Sequence, residues 1–469
     1  MTLEVPAKPP AEIPAKLPAG KPAIIWDNSA LWRLIWPLVV EQILSITIGL
    51  ADTVMVSGVG EHAVSGVSIV DTINQMLIIA FAALATGGAV VVSHYIGARM
   101  VQKSRTASRQ LMYISFAISV LIMIFTLALR RPMLFLIYGK IDANVMASAE
   151  IYFFLSALSY PFLAIYNSAA SLFRSAGNSR ITMLIAVVVN VLNLGGNALL
   201  IYGFGMGVAG AGIATLVSRA VAAIVLTLLL VHDRVSGISL DGLFKVKLDG
   251  PVIRSILKVG IPSGVESSMF QLGKILTSRI FASFGTAAMA ANAVAASINS
   301  LSFMPANAFG IAMLTIVGQC LGAGDIASAK RNTRKLMIFT HSSVAVFSIL
   351  TVILMDTGIG LFNLSPEAHV IARQLLLIHC VMSPVSWPGS FSLPNALRSA
   401  GDARYCMFVA AVSMWTVRVT GSYFCAYTLG LGAAGVWYAM VADWCVRAVF
   451  YIRRWTKGRW QNNQVLAET

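Results

Sequence analysis

Apolar stretches of about 20 residues recur along nearly the whole chain, separated by short polar or Gly- and Pro-containing breaks. Each is long enough to cross the hydrocarbon core of a bilayer. About twelve are readable, centred near residues 44, 80, 120, 162, 192, 218, 268, 304, 348, 383, 417 and 445. Lipid offers no partner to backbone N–H and C=O groups, so these stretches are predicted as helices, and the chain as an all-α polytopic membrane protein. The second and eighth are diluted by Ala, Gly, Ser and Asn. The opening "MTLEVPAKPPAEIPAKLPAGKPA" breaks the pattern. It is rich in Pro, Ala and Lys, lacks an apolar signal-peptide core, and reads as a disordered cytoplasmic tail over residues 1–30.

The pattern is written twice. Sliding the sequence by 225 residues (262 − 37) brings "WPLVVEQ" onto "IPSGVES", pairing Pro37 with Pro262 and Glu41 with Glu266. The same shift pairs Gly60 with Gly285, Asn74 with Asn299 and Gly97 with Gly322. Further on, "FRSAGNSRITM" meets "LRSAGDARYCM" and "GMGVAGAGIA" meets "GLGAAGVWYA". Two homologous bundles of about six helices follow, predicted as an N-lobe (31–231), a polar inter-lobe linker (232–254), a C-lobe (255–455) and a cytoplasmic tail (456–469). An even number of helices per repeat makes the repeat parallel, about an axis along the membrane normal. Two such lobes facing one another enclose a central cleft, the layout of an alternating-access transporter.

Composition sharpens the class. The chain is 57% hydrophobic and 11% charged, against about 25% charged in soluble domains. The formal net charge of +15 raises nucleic-acid binding, but the bases are not gathered into one patch and no recognition motif appears. With both termini placed inside, roughly 27 of the 34 Lys and Arg fall in cytoplasmic segments or helix ends, as the positive-inside rule requires. Arg130, Arg131, Lys140 and Arg373 fall outside, while Lys274, Arg279 and Arg418 lie within apolar stretches. The five cysteines form no CxxC, and the six histidines form no metal pair with an acid. No cofactor, metal site or nucleophile–base constellation is predicted, so the chain is not read as an enzyme. No GK[ST] follows the glycines of the two RSAG turns, so the driving force is read as an ion gradient rather than ATP.

Ionisable groups inside apolar spans are functional candidates by default. Glu41 and Asp52 are eleven residues apart, about three helical turns, and share one face with Ser45 between them. Asn190, Asn193 and Asn197 form a matching stripe at i, i+3 and i+7, suited to hydrogen-bonding a carboxylate. Asp52 has two readings, a coupling-ion site or a solvated helix end. Glu41 and Glu266 each follow a proline by four residues, and also have two: a paired coupling or substrate site facing the cleft, or structural acids that pair the freed backbone or a neighbouring helix. Asp71, Lys274 and Arg418 are candidates for the cavity wall; the two bases either answer acids on other helices or, in the cavity, would admit anionic or zwitterionic substrates. Asp443 is read as structural.

The chain resembles the multidrug and toxic compound extrusion (MATE) family, bacterial type, of the multidrug/oligosaccharidyl-lipid/polysaccharide exporter superfamily. The resemblance rests on "ADTVMVSGVG", "GARMVQKSRTASR" and "FRSAGNSR" in the first half, and on "IPSGVESSMFQLGK", "AANAV", "VGQCLGAGD" and "LRSAGDAR" in the second. It implies twelve helices in two lobes, in the bacterial cytoplasmic (inner) membrane, and efflux of bulky amphipathic compounds, often cationic, in exchange for a proton or sodium ion. It implies a cation site at the Asp52 position, served by residues of the fifth helix that match Asn193 and Asn197. Relatives often carry aspartate at the second, and one carboxylate fewer favours a proton. The expected partners are the small-molecule substrate, the coupling ion and membrane lipids, with no nucleic acid and no obligate protein partner. The rival readings on the same fold are a lipid or lipid-linked-precursor flippase, or an exporter of anionic or zwitterionic metabolites.

Overall fold

The computed structural model describes residues 26–139, 142–233, 237–463 and 465–466, and every regular element among them is helical. The first repeat supplies α1 (Asn28–Ser57), α2 (Glu61–Gly97), α3 (Val101–Tyr138), α4 (Ala143–Ser175), α5 (Ser179–Gly203) and α6 (Gly207–His232). The second supplies α7 (Gly250–Ser283), α8 (286–322, broken at Phe303), α9 (326–360, broken at Leu354), α10 (Pro366–Ser399), α11 (403–428) and α12 (Gly432–Thr456). Among the described residues, nine helices are long and apolar enough to cross a membrane; α7, α11 and α12 fall outside that set. These three carry Glu266 and Lys274, Arg418, and Asp443 and Arg447, respectively.

Several boundaries differ from the sequence reading by a few residues. α1 starts at Asn28, capped by Asp27, so the N-terminal tail is shorter than 30 residues. α7 starts at Gly250 under an Asp249 cap. Residues 1–25, and with them most of the predicted tail, lie outside the described residues, as does Lys140. Pro305 follows the break in α8 and Pro388 opens a π turn in α10, whereas α4 runs unbroken through Pro161. Gly60 and Gly285, which coincide at the repeat offset, take φ of +133° and +92° at the turns into α2 and α8, a region costly for other residues.

The two halves meet at one end. There, α2 packs so closely on α7 and α8 that a Cβ at Gly87 would lie 2.4 Å from the Ile256 carbonyl oxygen. A Cβ on Gly97 would lie 2.1 Å from the Gln319 oxygen, and one on Gly322 would lie 2.1 Å from the His94 oxygen. Gly97 and Gly322 are repeat partners, and so are His94 and Gln319, so the seam is built on the pseudo-twofold axis. The hydrogen bonds obey the same symmetry. Gln319 Nε2 donates to the Ser175 carbonyl (2.7 Å), and His94 Nε2 donates to the Ser399 carbonyl (2.7 Å). Ser175 and Ser399 are the serines of the two RSAG motifs. These turns therefore form part of the inter-half seam. The start of α1 crosses to the second half, where Leu31, Leu34, Ile35 and Leu38 share a core with Ala308, Ala312 and Ile316. Away from this seam, Thr286–Ser302 of α8 packs mainly on helices of its own half.

Candidate functional site

Asp52 lies near the open end of α1, partly buried. Its Oδ1 accepts a 2.5 Å hydrogen bond from Asn197 Nδ2. Asn197 Nδ2 also donates to Asn193 Oδ1 (3.3 Å), and Asn193 Nδ2 donates to Thr215 Oγ1 of α6 (3.2 Å). The i, i+4 spacing on α5 puts both amides on one face, and that face meets the acid of α1. Asn197 Oδ1 is buried without a hydrogen-bond partner. A buried, unpaired oxygen beside a carboxylate is an acceptor that a proton-bearing group or a cation can satisfy. The third asparagine, Asn190, instead donates to its own helix at Ala186 O (2.8 Å).

Asp71 of α2 extends this site. Its Oδ1 accepts from Asn74 Nδ2 (3.3 Å), and Asn74 is further held by Ser156 (3.3 Å) and by Tyr160 OH, which donates to Asn74 Oδ1 (2.8 Å). Arg219 of α6 donates to Ser159 Oγ (2.7 Å), and its charge acts on both Asp52 and Asp71. The first half thus gathers two carboxylates and one guanidinium, an arrangement with a net deficit of one positive charge. Sequence reasoning passed over Arg219 as one more helix-end base. Its signal was present: a lone charge inside "GVAGAGIATLVSRAVAAIVLTLLLVH".

Glu41 sits elsewhere, about 16 Å down α1 from Asp52. Its Oε1 accepts from Arg174 Nη1 (2.8 Å) and its Oε2 from Thr182 Oγ1 (2.9 Å). Glu266 repeats the pairing in the second half, accepting from Arg398 Nη2 (2.7 Å). The two Pro-xxx-Glu motifs and the two RSAG motifs are therefore bonded to one another, one pair per half.

In the second half, Asp443 is fully buried and receives Ser413 Oγ (2.5 Å), Arg447 Nε (3.0 Å) and Arg447 Nη2. The Arg418 guanidinium lies 5.2 Å from the Phe270 ring centroid, and that of Arg447 lies 5.5 Å from it. Lys274, one turn beyond Phe270, is exposed, and the Arg418 charge acts on it. The five cysteines are free, and no cluster of His, Cys, Asp and Glu able to hold a metal occurs among the described residues.

The MatE family model matches the chain twice, over residues 37–199 and 262–424, reproducing the 225-residue offset and beginning each time at the paired prolines. The chain is 29% identical over 440 residues to YisQ of Bacillus subtilis (strain 168), an uncharacterized transporter, covering 92% of this chain and 94% of the relative. It is 26% identical over 456 residues to a probable multidrug resistance protein, NorM, of Thermotoga maritima, covering 94% of each. Its fold superposes with a TM-score of 0.86, at 20% identity, on an outward-facing multidrug resistance MATE family transporter of the MOP superfamily, covering 92% of this chain and 95% of that one. The chain belongs to the MatE family of transporters, multi-pass membrane proteins and not enzymes.

Proposed function

We propose that the chain is a secondary active efflux transporter, exchanging bulky amphipathic organic compounds for protons or sodium ions by alternating access. The observation that carries the coupling role is the contact between Asp52 and Asn197, set beside the unpaired Oδ1 of Asn197. A partly buried carboxylate held by an amide is a site whose charge changes when an ion arrives. A proton on Asp52 removes the acceptor strength that draws Asn197. A sodium ion would take oxygens from Asp52, Asn197 and Asn193. Either event alters how α1 packs on α5, and α1 also runs into the sealed seam. Asp71 and Arg219 set the field in which the ion is held.

The positive-inside bias supports placing the sealed end and both termini in the cytoplasm, with the open cleft facing outward, in a bacterial inner membrane. The residue boundaries of the two lobes are those of the repeat, 31–231 and 255–455, corrected to the observed helix ends. Glu41 and Glu266 are assigned to holding each half together rather than to carrying the ion.

The test is transport by the full chain in liposomes under an imposed pH gradient, following a fluorescent organic cation in wild type and in Asp52→Asn, with and without sodium. Gradient-driven movement lost in Asp52→Asn supports the reading, and its dependence on sodium decides the ion. Unchanged movement in the variant sinks the role of Asp52.

A further inference from the structure

The second half inverts the charge of the first. At the 225-residue offset Asp52 faces Thr277, Asn193 faces Arg418 and Asn197 faces Ser422. This register depends on one inserted residue. The RSAG arginines are 224 apart (398 − 174), but Gly205 and Gly430 are again 225 apart, so α11 gains a residue between them relative to α5. The π turn Phe424–Thr428 has its counterpart in Ala198–Gly203, whereas the π turn Met414–Val419 falls where α5 is plain α-helix. A π turn is how a helix absorbs one extra residue, and such turns concentrate at functional sites. Arg418 lies within the extra one.

Arg418 is 7% exposed, and its Nε and Nη1 are buried with no hydrogen-bond partner. The nearest acid, Asp443, already accepts from Ser413 and from two nitrogens of Arg447. Arg418, Arg447 and Lys274 thus stand against one carboxylate, while the neighbouring Glu266 is committed to Arg398. A buried guanidinium with unmatched donors carries a large desolvation penalty. It persists where a ligand supplies the missing acceptors.

We infer that Arg418, with Lys274 at its approach and the Phe270 ring beside it, binds the carboxylate or sulfonate group of an amphipathic, zwitterionic or anionic substrate. The guanidinium fork matches two oxygens of such a group. Phe270 offers a ring edge to an apolar body. This names the substrate class for the efflux reading above and rests on it for the source of the anion. The two halves then divide the work, the first holding the coupling cation and the second the acidic group of the cargo.

The experiment uses the full-length protein in detergent micelles and two dyes with one xanthene body, rhodamine B with its free carboxylate and rhodamine B ethyl ester without it. Binding is read by fluorescence anisotropy. Arg418→Gln is expected to weaken the carboxylate dye about tenfold and leave the ester nearly unchanged, with a smaller loss in Lys274→Gln. Arg418→Lys is expected to retain part of the preference. Equal weakening of both dyes, or of neither, overturns the inference. Should neither dye bind, the thermal midpoint with inorganic sulfate at constant ionic strength decides. A rise present in wild type and lost in Arg418→Gln keeps the anion site but assigns it to a free anion, and no rise in wild type overturns it. Ligand-free Arg418→Gln is expected to melt no lower than wild type, whereas a structural arginine would lower the midpoint. Gradient-driven transport of the ester, tested with Asp52→Asn, fails or succeeds independently, so loss of the efflux reading is told apart from loss of the anion site.

Discussion

Glu41 and Asp52 stand on one face of one helix, and different partners reach them. Glu41 is closed off by Arg174 and Thr182, both its oxygens occupied. Removing one partner of a buried pair leaves the other charge stranded, a loss on the order of 3 kcal/mol. Glu41→Gln is therefore expected to lower stability by about that amount in equilibrium unfolding, and the Glu41→Gln/Arg174→Gln double variant to lose less than the two single changes added together. Additive losses would show that the two side chains are not coupled. Asp52, partly exposed and held by one amide, is expected to tolerate Asn with little change in melting while losing gradient-driven transport.

At the scale of the helix, α2 and α8 end in the same motif, yet one offers His94 and the other Gln319 to the opposing RSAG carbonyl. Both side chains place an N–H donor at the same reach, which is why the symmetry survives the change of residue. His94→Gln is accordingly expected to melt close to wild type. His94→Leu leaves the Ser399 carbonyl without its donor and is expected to cost about 1–3 kcal/mol. Equal midpoints for the two variants would remove the hydrogen bond from the account of the seam.

Across the whole molecule, the seam is the element that must part if the cleft is to open at its other end. Gly97 and Gly322 make that contact close enough for each helix to bond the RSAG turn of the other half, and neither position has room for a methyl group. Gly97→Ala is expected to shift the population toward a state parted at this end, read as a longer distance between spin labels at positions 103 and 330. An unchanged distance would mean that the backbones yield locally and that the seam does not set the conformation. The same closeness explains why α1 reaches across to the core around Ala308 and Ile316: a lobe boundary drawn at residue 31 cuts through a shared core.

The sequence by itself determined the class, the repeat and the candidate residues, because each is carried by periodicity or by composition. A bilayer forces helices wherever about 20 apolar residues run together, and duplication leaves a fixed offset that needs no coordinates to read. The i, i+4 spacing of Asn193 and Asn197 was likewise legible, since a helix fixes which residues share a face. What the tertiary structure decided is which faces meet. Nothing in the order of residues said that the glutamate of Pro-xxx-Glu would find the arginine of RSAG more than 130 positions away, with |i−j| of 133 in the first half and 132 in the second. Nor could it say that the RSAG serines would carry the seam, or that Arg219 would serve Asp52 and Asp71. The inserted residue in α11 was visible as a slip from 224 to 225, but its consequence was not. Only a π turn at Met414–Val419 sets Arg418 where the first half has Asn193, because helical phase, unlike spacing, is settled by how the backbone absorbs one residue too many.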